Sequence, residues 1–339
     1  MPNTKSYIFV HIAKTAGSTL LSIMENVFNR DEILYLYDND DYPQNVEGLK
    51  RMSGQEKRRY RLFTGHFPFG LHEYISQPCK YITILREPVD RVISTYNHIK
   101  NVECMSKDED FRKRWEEARK MSLEEFVKSD ILPYQSNYKV YCLADRAAEY
   151  GDCSVEDLER AKKNLREHFV IAGLTERFDE TVVYIRRNLG WVVPYYAKMN
   201  VREGGLQKED LPEGTLRLIE EKNWIAIELY KYATELFNEM IGKQGPDFQR
   251  EVAELKKANS CISDLMHERD DLALHADGLA RSIDEMSWIH RKQAEEFHSK
   301  YNELIRHYEN SLSWRMTAPM RRSADFFHKI NGPSSKGRA

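Results

Sequence analysis

The sequence predicts an α/β protein: an open parallel sheet flanked by helices, with a C-terminal helical or coiled-coil extension. Three observations carry this. Short apolar runs beginning at Tyr7, Arg61 and Tyr81 each pass at their C-terminal end into polar residues, namely the turn around Lys14, His66 and Arg86. Helix-like stretches follow the first and third runs, so the strands are expected to lie parallel, with any ligand at their carboxyl ends. Beyond residue 246 the apolar spacing changes to heptads.

The first run, Tyr7-Ile8-Phe9-Val10, leads through His11-Ile12-Ala13 into Lys14-Thr15-Ala16-Gly17-Ser18-Thr19 and a helix over residues 20–28. Successive backbone N–H groups in such a turn, backed by a helix N-terminus, form a P-loop-like cradle for an anion. Lys14 adds a cation, and Thr15, Ser18 and Thr19 add hydroxyls. His11 falls inside the strand and reads as a packed residue. Residues 30–60 read as polar and irregular, with an acidic cluster at 38–41 and a basic run reaching Arg61, both expected on solvated surfaces.

The second strand ends in Gly65-His66, and Phe67-Pro68-Phe69-Gly70 turns the chain, leaving His72 on a helix surface. The third ends in Arg86-Glu87-Pro88, where Pro88 suits the first turn of a helix over residues 89–101. Ser94 lies on that helix, as do Arg91 and His98, which read as solvated. Residues 105–166 read as helical, residues 169–174 as another buried strand, and Thr175 as the N-cap of a helix to residue 189. Residues 213–241 form the last globular helical segment.

Gly242-Lys243-Gln244-Gly245-Pro246 marks the clearest boundary. Leu255, Ile262, Ala276 and Ile283 then occupy one seam position, with Arg269 an exception, and Ala258, Leu265, Leu272, Leu279 and Met286 the other. After His290 the seam resumes at Phe297, shifted by four residues. A coiled coil, a long helical hairpin and a single helix packed on its own domain all fit this pattern. The tail from Ser313 interleaves Arg and Lys with Trp314, Phe326 and Phe327, which suits a membrane-surface segment, a docking helix or a frayed terminus.

Of the 339 residues, 31% are charged and the formal net charge is -3, a balance that argues against bulk nucleic-acid binding. Five cysteines form no C-x-x-C pair and have no histidine at ligand spacing, which argues against zinc and fits thiols in a reducing compartment. No basic-then-apolar leader precedes the first strand and no apolar run reaches membrane-span length, so a cytoplasmic protein is expected.

The anion turn lacks the Walker A order G-x-x-x-x-G-K-[ST], because Lys14 precedes Gly17 by three positions. The third strand ends in Arg86 rather than in an Asp that would support magnesium. Cations and hydroxyls on this rim suit an anionic donor that needs no metal. H-I-A-K-T-A-G-S-T, then T-G-H-F, then L-R-E-P-V-D-R-V-I-S-T-Y together resemble the sulfotransferases that use 3′-phosphoadenosine-5′-phosphosulfate (PAPS). The branch containing heparan sulfate 2-O-sulfotransferase and its bacterial relatives is the closest likeness. Segments around residues 169–191 and Lys198-Met199-Asn200-Val201 are similar to family segments as well, and the likeness spans roughly residues 6–240.

The resemblance implies roles. Lys14 would contact the 5′-phosphosulfate, with Thr15, Ala16, Gly17, Ser18 and Thr19 holding its oxygens. Arg86 and Ser94, eight residues apart, would read the 3′-phosphate, Arg gripping it with two donors at once. His66 would be the base that takes the acceptor's proton. The family often carries a second histidine two residues earlier, where this chain has Thr64. Asn200 and Arg202 would close over the donor.

The expected organisation is a sulfotransferase domain over residues 1–242, a helical extension over 243–312 and a basic amphipathic tail over 313–339. The expected activity is sulfuryl transfer to a carbohydrate or glycolipid hydroxyl, without metal or nucleic acid. The C-terminal helices are candidates for self-association, and the tail for contact with the inner face of a membrane. Leu312 to Pro319 is similar to the ends of bacterial glycan-assembly enzymes, which points towards a cell-surface polysaccharide or its lipid-linked precursor. A P-loop-type phosphotransferase and a non-catalytic nucleotide-binding scaffold are the alternatives.

Overall fold

The structure, a computed structural model, describes residues 5–37, 45–104, 106, 108–132, 135–144, 153–192, 196, 205–311 and 315–317. Asn200 and Arg202, the acidic cluster at 38–41 and most of the basic tail lie outside the described residues. Strand β1 (Ser6–Val10) is buried along its whole length. It pairs in parallel with β3 (Leu62–Gly65) on one side and β4 (Cys79–Leu85) on the other. A central parallel strand is covered on both faces, which is why its sequence is an unbroken apolar run.

The sheet has five parallel strands in the order β2-β3-β1-β4-β5, with β2 (Ile33–Leu36) and β5 (Phe169–Leu174) at its edges. The switch between the two directions of crossover falls at β1, between β3 and β4, the position at which such sheets open a crevice for ligands. The residues read as irregular between 30 and 60 therefore hold an element: Ile33-Leu34-Tyr35-Leu36 is a fully buried edge strand. Its four residues are too few to show a period, and burial decided it. Two short helices follow, α2 (Val46–Arg51) and α3 (Gly54–Lys57).

Helix α1 (Gly17–Glu25) begins three residues before the sequence expectation of residue 20 and packs Leu20, Ile23 and Met24 into the core. Pro88 opens α4 (Pro88–Asn101) as expected, and the Glu87 carboxylate caps it by accepting from the Asp90 N–H at 2.9 Å. The helical region then resolves into α5 (Glu109–Lys120), α6 (Leu123–Ser129), α7 (Tyr138–Leu143) and α8 (Val155–His168). After β5 come α9 (Phe178–Leu189), α10 (Glu213–Lys222) and α11 (Trp224–Gly242).

The sheet and helices α1, α7, α8, α9 and α11 share the main core. A second core joins α4, α5, α6 and α10 through Val92, Ile99, Trp115, Phe126 and Ile219. The expectations for Arg91 and His72 change. Arg91 is 1% exposed rather than solvated, and its Nη2 donates to the Gln135 carbonyl at 2.9 Å. His72 lies in a 3-10 turn (Leu71–Tyr74) rather than on a helix surface, with its Nδ1 2.8 Å from the Tyr81 hydroxyl.

The chain divides into two compact units, Met1–Asp264 and Leu265–Ala339. Helix α12 (Asp247–Glu309) is continuous, so no hairpin forms within it. Its first turns bury Phe248, Val252 and Leu255 in the first unit, where Arg186 and Arg187 both bond to Glu251 at 2.5 Å. In the second unit the seam residues Leu265, Leu272 and Leu279 are 60 to 67% exposed. Among the described residues, no helix is long and apolar enough to cross a membrane.

Candidate active site

Polar side chains collect where the five strands end. The turn after β1 bends sharply: Lys14 and Ala16 take left-handed backbone angles, φ 66° and 63°. Such alternation with right-handed residues produces the concave backbone nest that receives anions. Ala16 is the residue before α1 and has no side chain able to cap the helix, so no N-cap side chain fills the place of a ligand there. Thr15 is 1% exposed and donates its hydroxyl to the Ile12 carbonyl at 2.8 Å. It braces the turn from within.

Gly17 is required by its neighbour. A Cβ at this position would come within 2.2 Å of the His11 ring. The buried His11 imidazole is thereby pressed against the first residue of α1. Thr175, expected to cap the helix after β5, does something else. Its hydroxyl reaches the Thr15 carbonyl at 2.9 Å and the Leu85 carbonyl at 3.1 Å, so it ties the ends of β4 and β5 to the anion turn, and α9 begins without a side-chain cap.

His66 follows β3 directly. Its Nδ1 lies 2.5 Å from the His11 carbonyl and its ring centroid 4.7 Å from that of His11. A carbonyl can only accept, so Nδ1 carries the proton in the neutral ring and Nε2 carries the lone pair; the network assigns this tautomer. The residue is solvent-exposed, yet protein surrounds much of the ring. That surrounding lowers its pKa below the ordinary 6.5, while the bond to His11 pulls the other way. His11, 9% exposed, is held at about 3, by burial first and the neighbouring His66 second. Beside both rings stands Tyr37, at the end of β2, with its hydroxyl 2.8 Å from His11 Nδ1 and 3.1 Å from Thr64 Oγ1.

Sequence reasoning selected His66 but missed Tyr37, because the strand that carries it was not recognised. The apolar run Ile33 to Leu36 was the available signal.

Arg86 leaves β4 half-buried, and its guanidinium makes no hydrogen bond or ion pair to any described residue. Underneath, Lys139 is 1% exposed and donates to the Arg86 carbonyl. Burial, then the nearby Arg91, pushes the Lys139 ammonium well below its ordinary value. Ser94 is half-buried on α4. Lys14, the turn through Thr19, His66, Arg86 and Ser94 thus all sit at the carboxyl edge or on the helices that start there. Among the described residues, no cluster of three His, Cys, Asp or Glu is set to hold a metal ion. A cavity of about 510 Å³ lined by Lys5, Tyr7, Arg61 and Trp191 opens at the opposite, amino edge of the sheet, away from these groups.

Fold and turn together define a P-loop-like α/β protein with a concave backbone turn at its switch point. A family model described as galactose-3-O-sulfotransferase matches residues 1–281, and the chain belongs to that family. The resemblance to PAPS-dependent sulfotransferases is thus made specific. The chain is 24% identical over 271 residues to galactose-3-O-sulfotransferase 3 of Mus musculus, covering 74% of this chain and 60% of that protein. It is 24% identical to the galactosylceramide sulfotransferase of Mus musculus, covering 75% of this chain and 62% of that one. Against heparan-sulfate 6-O-sulfotransferase 1 of Homo sapiens it is 30% identical over 185 residues, 47% of this chain and 43% of that protein. The chain therefore spans about 60% of the length of the galactose-3-O-sulfotransferase relative.

Proposed function

We propose that the chain transfers a sulfuryl group from PAPS to a hydroxyl of a carbohydrate or glycolipid, with the 3-hydroxyl of a galactosyl residue as the first acceptor to test. One observation carries the reading. An imidazole with its Nδ1 fixed by a carbonyl stands one ring away from Gly17, the first residue of the anion-cradling helix. Family membership favours sulfuryl transfer over the phosphotransferase and scaffold alternatives.

In this reading the nest from Lys14 to Thr19 and the N-terminus of α1 hold the 5′-phosphosulfate, and Lys14 offsets charge on the departing phosphate. Arg86, whose guanidinium has no described partner, and Ser94 bind the 3′-phosphate. The acceptor oxygen attacks sulfur as the bond from sulfur to the phosphate oxygen breaks. His66 Nε2 takes the acceptor's proton, and adenosine 3′,5′-bisphosphate (PAP) leaves. A base with a lowered pKa is unprotonated at neutral pH, as this step requires.

The test is transfer of label from radioactive PAPS to a methyl β-galactoside and to galactosylceramide vesicles by the full chain. Labelled product is expected with at least one of them. His66→Ala should lower the rate by about 10²- to 10⁴-fold with PAP binding retained. Undiminished turnover in that variant would remove His66 from the mechanism, and absence of transfer despite PAP binding would remove the reading.

We also propose that α12 associates with α12 of a second copy. Its exposed seam at Leu265, Leu272 and Leu279 supports this, since leucines at heptad spacing lose their solvent cost only against another apolar helix face.

A further inference from the structure

The His66 ring packs into a corner formed by two other rings, whose own centroids are 5.7 Å apart. One wall is the His11 ring, 4.7 Å away at 42°; the other is the Tyr37 ring, 5.0 Å away and nearly perpendicular. The two walls are joined to each other, because the Tyr37 hydroxyl lies 2.8 Å from His11 Nδ1 and 3.1 Å from Thr64 Oγ1. Thr64 is 0% exposed and His11 9%, so neither can turn to water instead. The Tyr37 oxygen bridges the two neighbours, able both to donate and to accept, with the directions set by the His11 tautomer. Removing that oxygen strands two buried polar atoms and separates the two walls.

We propose that Tyr37 and His11 are positioning residues, which act through His66 by holding its ring in the one orientation that presents Nε2 to the acceptor. This rests on the catalytic reading of His66. Neither residue need touch the reacting atoms. Among the described residues, the titratable groups against His66 are His11 from the end of β1 and Tyr37 from the end of β2, and no carboxylate bonds to either imidazole. A cationic His11 would repel the proton arriving on His66. Burial keeps His11 neutral, so that proton meets no such opposition.

Long-range ¹H–¹⁵N NMR of the full-length chain, with labelled histidines, reads tautomer and titration of both rings without turnover. In the unmodified protein His66 should be a single Nδ1-protonated tautomer, and His11 should stay neutral across the range in which free histidine titrates. Tyr37→Phe should give mixed His66 tautomers and move the His66 titration upwards towards the ordinary 6.5 as the packing of the two rings against it loosens, with PAP binding retained. The acid limb of kcat should move with it, which a loss of folded protein alone would not cause.

His11→Asn keeps an acceptor for Tyr37 and should preserve the tautomer, whereas His11→Leu should not. This pair decides the matter if Tyr37→Phe fails to fold. An Nε2-protonated His66 in the unmodified protein, a folded Tyr37→Phe with unchanged tautomer and titration, or identical behaviour of the Asn and Leu variants would each overturn the proposal. Restrained tautomers in a protein that transfers no sulfuryl group would instead count against the catalytic reading alone.

Discussion

His11 shows how one buried side chain ties the site to pH. Burial, with a smaller contribution from His66, holds its imidazole at about 3 in the folded chain, against an ordinary 6.5 when unfolded. Between those values the unfolded chain binds one more proton than the native one, so stability rises with pH through this window. The contribution is complete above the unfolded value and is lost as pH falls towards the folded one. For one proton the slope is about 1.4 kcal/mol per pH unit. Urea unfolding of the unmodified chain and His11→Asn at about pH 7.5 and pH 4.5 should show the steeper pH dependence in the unmodified chain. Equal slopes would mean that His11 accepts a proton in the native state. Gly17 belongs to the same contact, since any side chain there must displace this ring.

At the level of elements, the anion turn is braced from the far side of the sheet. The Thr175 hydroxyl has one proton and two carbonyls within reach, one on the turn and one at the end of β4. Thr175→Val keeps the shape and removes the bond, so it should cost about 1 to 3 kcal/mol of stability and weaken PAP binding. Calorimetry with PAP measures the second effect; unchanged affinity would show that the turn holds its form unaided. The strands β3, β4 and β5 were legible because each is a compact apolar run closed by a polar or turn residue. Strand β2 was not. Its neighbours are charged, its length hides any alternation, and its burial depends on pairing with β3, which no local pattern announces. Missing the strand also hid Tyr37.

For the whole molecule, the exposed seam of α12 makes a prediction about assembly. Replacing Leu272 and Leu279 together with Glu puts charge at two seam positions that are 64 and 67% exposed in a single chain. Sedimentation of the full chain should shift to the monomer while PAP affinity stays the same. An unmodified chain that is already monomeric would end the self-association proposal.

Sequence order alone determined the sheet's class, the strand-to-turn junctions at Lys14, His66 and Arg86, the Pro88 helix start and the heptad spacing after Pro246. These are local facts, written in residues near one another along the chain. Tertiary structure decided the rest. It packed His11 and Tyr37 together against His66, buried Arg91 and Lys139 beneath the Arg86 rim, and turned Thr175 from an expected cap into a bridge. The physical reason is register. Residues tens of positions apart become neighbours only when five parallel strands end at one edge, and burial there sets which polar groups must find each other.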